Sequence, residues 1–194
     1  DIHAIKIIFF ITACYVGLWV IRIPTIKDQL QTDYVGVGYI MLSFAIGSIV
    51  AMIFANALIL KTSTKSILTF TLIAEGCLWL PVPFIQDLWI FMIFSFIFGM
   101  SYGAFEVACN VYASNLEVRE KKSMMSGFHA FWSLGVLFGS LITSFLLEWN
   151  YSFIFNILLY VIILLPLSLY FVLCLESEVE TKSKDSTQRN IFFI

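Results

Sequence analysis

In these 194 residues 60% are hydrophobic and only 12% are charged, where a soluble domain carries about 45–50% and ~25%. A water-soluble fold of this length cannot bury that much apolar surface, so the composition excludes an ordinary globular enzyme and points to a membrane. The net charge of −2 gives no footing for a nucleic-acid partner. The chain resolves into six long apolar stretches, at residues 5–23, 35–60, 66–84, 88–111, 128–147 and 151–175. Each is near the ~20 residues that a helix needs to cross a ~30 Å hydrocarbon core. They predict an all-α membrane protein with six transmembrane helices in a bundle over residues 1–175.

The first stretch has no A-x-A-like cleavage site and ends at Arg22-Ile23-Pro24, so it reads as a retained helix rather than a signal peptide. The cysteines at 14, 77, 109 and 174 all fall within apolar stretches. They have no metal or redox spacing, and read as small packing residues. The gap at 112–127 is the longest inside the bundle and carries Glu117, Arg119, Glu120, Lys121 and Lys122, so a solvated surface helix or turn is expected there. Residues 176–194 are polar until the apolar Ile191–Ile194, which predicts a cytoplasmic linker toward a seventh helix beyond this chain. Because the chain also opens on Asp1, it is expected to be a segment of a longer polypeptide.

Charge sets the orientation. Lys6, Lys61, Lys65, Arg119, Lys121, Lys122, Lys182, Lys184 and Arg189 fall on the side of the N-terminus, while only Arg22 and Lys27 fall on the other. Nine against two predicts both termini in the cytoplasm. Trp89 and Trp149 sit where an interfacial aromatic belt would place them.

Four ionisable residues at membrane depth need a reason to be there, since each costs roughly 2.5–3.5 kcal/mol on insertion scales. Gly99, Gly103, Glu106 and Asn110 share one helical face, where the glycines allow a backbone or a substrate to come close. Glu106 is then either a protonatable, substrate-facing group or a structural carboxylate between helices. His129, in the run Phe128-His129-Ala130-Phe131-Trp132, is expected at the depth of Glu106, either sharing a proton with it or satisfying a loop carbonyl. Arg22 either snorkels to the outer interface or lies at the outer mouth of a pathway. Glu75 is expected near mid-depth as a structural or neutral carboxyl. Asn56 and Asn156 are expected to hydrogen-bond between helices.

Six helices with both ends inside and a polar linker resemble the N-terminal half of a major facilitator superfamily transporter, a fold with a 3+3 inverted repeat. The segment Gly17–Leu30, with Arg22-Ile23-Pro24 and Lys27-Asp28, is similar to the end of helix one in YbjJ-type bacterial inner-membrane transporters. Met125–Gly135 is similar to the start of their helix five. Glu106-Val-Ala-Cys-Asn110 is similar to the Glu-x-Ala-x-Asn stretch of fucose-permease-like sugar–proton symporters. The resemblance covers residues 1 to about 175. It implies alternating access between two six-helix halves in the inner membrane, with a small solute and protons as cargo. It also implies that Glu106 and Asn110 face the central cavity. With His129, Arg22 and Trp132 they make up the expected substrate and proton pathway, and no cofactor or metal is expected.

The sequence departs from the family pattern in three respects. Leu60 stands where the loop between helices two and three normally has an Asp, Val111 replaces a Pro after Asn110, and the second six-helix half is absent. The competing reading is a six-helix membrane protein that does not transport, or an inactive truncated carrier. An intramembrane enzyme lacks support, because no HExxH or nucleotide-binding loop is present.

Overall fold

A computed structural model describes residues 1–176; the expected linker and seventh apolar stretch at 177–194 lie outside them. The described residues form six long helices: α1 (Ile2–Gln29), α2 (Tyr34–Lys61), α3 (Thr64–Trp79), α4 (Leu88–Glu120), α5 (Met125–Glu148) and α6 (Phe153–Leu173). A 3₁₀ turn, Val82–Phe84, follows α3. All six spans are long and apolar enough to cross a membrane.

Caps explain most of the starts. Asp33, Ser63, Asp87 and Ser152 each accept a hydrogen bond from the backbone N–H three residues on, at Gly36, Ser66, Ile90 and Phe155. The start of α5 is capped from another helix. Glu117 of α4 accepts from the N–H groups of Met124 and Met125, the latter at 2.7 Å.

Three boundaries differ from the sequence reading. α1 runs through Pro24 to Gln29, because Gln29 Nε2 donates to the carbonyls of Val82 (2.9 Å) and Ile85 (2.6 Å) and fastens the last turn. α3 stops at Trp79 because Pro81 and Pro83 disfavour a continuing helix. α4 continues to Glu120 in place of the expected loop from 112, since Tyr112, Ala113 and Leu116 still bury one face in the core.

The helices pack chiefly as two pairs, α1 with α5 and α2 with α4; α3 packs on α4 and α6, and α6 also on α1. This pattern is unchanged when helices one, two and three are exchanged with four, five and six. It is the symmetry expected of a 3+3 repeat. The linkers at residues 30–33 and 121–124 correspond under the same exchange, and each holds a residue with positive φ: Gln31 at 48° and Lys121 at 52°. Small residues let both pairs close. A Cβ on Gly103 would strike the Ser48 carbonyl of α2, and one on Gly139 the Cys14 carbonyl of α1. The Gly99–Gly103 face of α4 is thus occupied by the α2 backbone.

The two ends of the bundle are chemically distinct. At one end Arg119 pairs with Asp1 (2.6 Å) and Glu176 (2.7 Å), and Lys65 Nζ donates to the carbonyls of Leu173 (2.9 Å) and Leu175 (2.6 Å). The start of α1 and the ends of α4 and α6 therefore meet at this basic end. Trp89 and Trp149 are exposed at the other.

Candidate functional site: an aromatic cavity between the two helix pairs

The α1/α5 and α2/α4 pairs barely touch each other, and a cavity of about 360 Å³ lies between them. α1 contributes Tyr15 and Trp19, α2 Phe44, α3 Glu75 and Trp79, α4 Phe91 through Tyr102, and α5 Trp132. Nine of the fifteen lining residues are aromatic, so the walls are rigid as well as apolar. Trp79 is the hub. It stacks on Tyr15 (5.9 Å between centroids), tilts against Trp19 (6.3 Å) and meets Phe98 edge-on (5.5 Å).

Tyr102 of α4 and Trp132 of α5 line the cavity from the two sides of the cleft. The remaining lining of α1, α3 and α4 rises from that pair away from the basic end. Tyr102 and Trp132 therefore form the floor of the cavity.

The expected pathway residues divide between three places. Trp132 lines the cavity. Glu106 and Asn110 lie four and eight residues beyond Tyr102 on the same side of α4, and both are half-buried. His129 lies three residues before Trp132 in α5, exposed and edge-on to Phe9 at 5.8 Å. Along α4 Glu106 lies toward the basic end from Tyr102, and along α5 His129 lies toward the basic end from Trp132. No hydrogen bond or ion pair joins them. Among the described residues, the side chains of Glu106 and Asn110 make no hydrogen bond.

Arg22 lies apart from these. It is 2% exposed, so it does not snorkel, and it is not part of the cavity lining. Its Nε donates to Asn156 Oδ1 (3.0 Å), its Nη2 to the Tyr151 carbonyl (3.3 Å), and its guanidinium sits over the Phe153 ring at 5.4 Å. It ties α1 to α6. Asn156 is thus the interhelical bonder expected of it, whereas Asn56 is exposed and makes no hydrogen bond among the described residues. Cys14 and Cys109 pack in the interior, while Cys77 and Cys174 are exposed.

The sequence reading gave Glu75 no place in the site. It is 6% exposed, lines the cavity, and makes no hydrogen bond or ion pair among the described residues. Its signal in the sequence was the i, i+4 spacing to Trp79, which sets both on one face of α3. A larger concavity, about 910 Å³ between α2, α3 and α4, is a groove on the outside of the bundle lined by exposed Phe54 and Phe70, where lipid chains fit better than a polar solute.

Comparison with known proteins agrees with this architecture. The sequence model of the Major Facilitator Superfamily matches residues 7–192. An uncharacterized MFS-type transporter of Yersinia pestis is 28% identical over 136 residues, covering 70% of this chain and 35% of that protein. An uncharacterized transporter of Sinorhizobium fredii is 25% identical over 141 residues, covering 68% of this chain and 35% of that protein. The chain spans about a third of the length of these curated relatives. No solved structure matches. A family match across nearly the whole chain, on six membrane-length helices in two exchange-related packing pairs, means that the chain belongs to the Major Facilitator Superfamily, a family of membrane transporters rather than enzymes.

Proposed function

We propose that this chain is one wall of a secondary transporter, which carries a small solute by alternating access with proton coupling at Glu106. The observation that carries the reading is the cavity between the helix pairs, floored by Tyr102 and Trp132, with the Glu106 carboxylate one helical turn beyond Tyr102 along α4. A proton on Glu106 and a solute above the floor are then separated by aromatic rings alone. His129 stands on the same side of the floor as a second protonatable group. Asn110, one turn past Glu106, supplies an amide to the vestibule. A second six-helix half supplies the facing wall, against which this one rocks. The basic end lies in the cytoplasm of a cell whose inner membrane holds the protein, so the cavity faces outward in this conformation.

The test is uptake by the full-length carrier in proteoliposomes, driven by an imposed proton gradient, with solutes screened as mixtures. Glu106→Gln is expected to abolish gradient-driven accumulation while leaving the amount of protein in the membrane unchanged. Undiminished accumulation by that variant would remove the coupling role of Glu106.

A further inference from the structure

We propose that the cavity selects an organic cation, a substituted ammonium group held between aromatic faces with Glu75 as its counter-charge. The inference rests on the transporter reading above and names the substrate class of the same cavity.

A carboxylate inside a membrane bundle is expected to find a partner or to face water. Glu75 has no hydrogen-bonding or ionic partner among the described residues, and no Lys, Arg or His lines the cavity. Its ionised form is costly to enclose alone, and a cation in the cavity removes that cost. Glu75 is buried and lines the cavity together with Tyr15 of α1 and Tyr102 of α4, so it belongs to the space between the helix pairs rather than to the lipid face.

The walls suit the same ligand. Trp19, Trp79, Phe91 and Phe98 present ring faces and edges around that carboxylate. Ring faces attract cations strongly once water is excluded, most of all tryptophan. The indole N–H of Trp79 is buried and unpaired, so one hydrogen-bond donor remains for an acceptor on the ligand. Ser95 adds a hydroxyl.

Other ligand classes fit worse. An anion meets a carboxylate and no basic side chain. A monosaccharide would leave several hydroxyls facing rings, because nine of the fifteen lining residues are aromatic and Tyr15 is already directed to the Tyr160 carbonyl. A neutral hydrocarbon would leave Glu75 uncompensated. The volume, about 360 Å³, is at the small end of ligand sites and suits a compact cation.

The test is calorimetric titration of the full-length protein in lipid nanodiscs with three probes: choline, its neutral isostere 3,3-dimethylbutan-1-ol, and glucose. Choline is expected to bind at least about tenfold more tightly than the isostere, with glucose weaker still. Glu75→Gln is expected to erase the gap and Glu75→Asp to keep most of it. Equal binding of choline and the isostere, no binding of either, preferential glucose binding, or a gap that survives Glu75→Gln would each overturn the proposal. If Glu75→Gln fails to fold, the wild-type comparison of choline with its isostere decides. The titration needs neither turnover nor a proton gradient. A missing gap beside intact proton-driven uptake of another solute therefore sinks the cation proposal alone. An intact gap beside failed uptake sinks only the transport reading.

Discussion

Tyr102 of α4 and Trp132 of α5 line one cavity from opposite sides of the cleft between two helix pairs that otherwise hardly meet. They are its lining residues nearest the basic end, so they form its floor.

Trp132→Ala should therefore connect the cavity to the basic end. With the four native cysteines replaced by alanine and a cysteine placed at Val16, a membrane-impermeant maleimide added from the basic-end side should label Val16→Cys much faster once Trp132 is truncated. An unchanged labelling rate would show that something other than this pair closes the floor.

Close approach of α2 and α4 depends on Gly103, whose missing Cβ leaves room for the Ser48 carbonyl. Gly103→Leu should destabilise the protein by about 3 kcal/mol through overpacking. Gly38 in α2 has open space around it, so Gly38→Ala should be neutral or stabilising by up to about 1 kcal/mol from helix propensity. Thermal unfolding in detergent, read by circular dichroism, compares the two. The opposite signs separate a packing glycine from an incidental one.

Arg22 and Asn156 form a buried pair between α1 and α6. Asn156→Leu leaves the guanidinium with only the Tyr151 carbonyl and the Phe153 ring, and should cost about 1.5–3 kcal/mol. Replacing both residues by leucine should cost less than the sum of the single changes. Unfolding midpoints for the four proteins of this cycle give the coupling. Strict additivity would mean that the two side chains do not support each other.

Glu117 caps α5 from outside that helix, accepting the first N–H groups at Met124 and Met125. Glu117→Ala should speed hydrogen exchange at the first turn of α5 while leaving the middle of the helix protected. Exchange that stays slow at Met125 would assign the capping to another group.

How far the site was legible depended on how local its causes were. Trp132, which lines the cavity, was legible as an amphipathic residue in an apolar run, whereas Glu106 and Asn110, which the helix period alone places on one face of α4, are not among the lining residues. Glu75 was visible as an anomaly, but its surroundings come from Tyr15, Phe98 and Tyr102, which are distant in sequence and reach it only when four helices assemble. Arg22 was misjudged for the same reason. Its partners, Asn156 and the Tyr151 carbonyl, lie more than a hundred residues away, so a buried tie looked like an interfacial charge.

Hydrophobic length and the spacing of charges determined, with no coordinates, that six helices suit a membrane and which end of the bundle is basic, because both follow from the transfer of side chains between water and lipid. Pairing was decided only in three dimensions. In lipid almost any apolar face can be exposed at little cost, so hydrophobicity does not choose neighbours. Gly103 and Gly139, and Arg22 with Asn156, choose them through shape and hydrogen bonding. The same choice encloses Glu75 in aromatic rings, which makes an isolated acid in α3 part of a site.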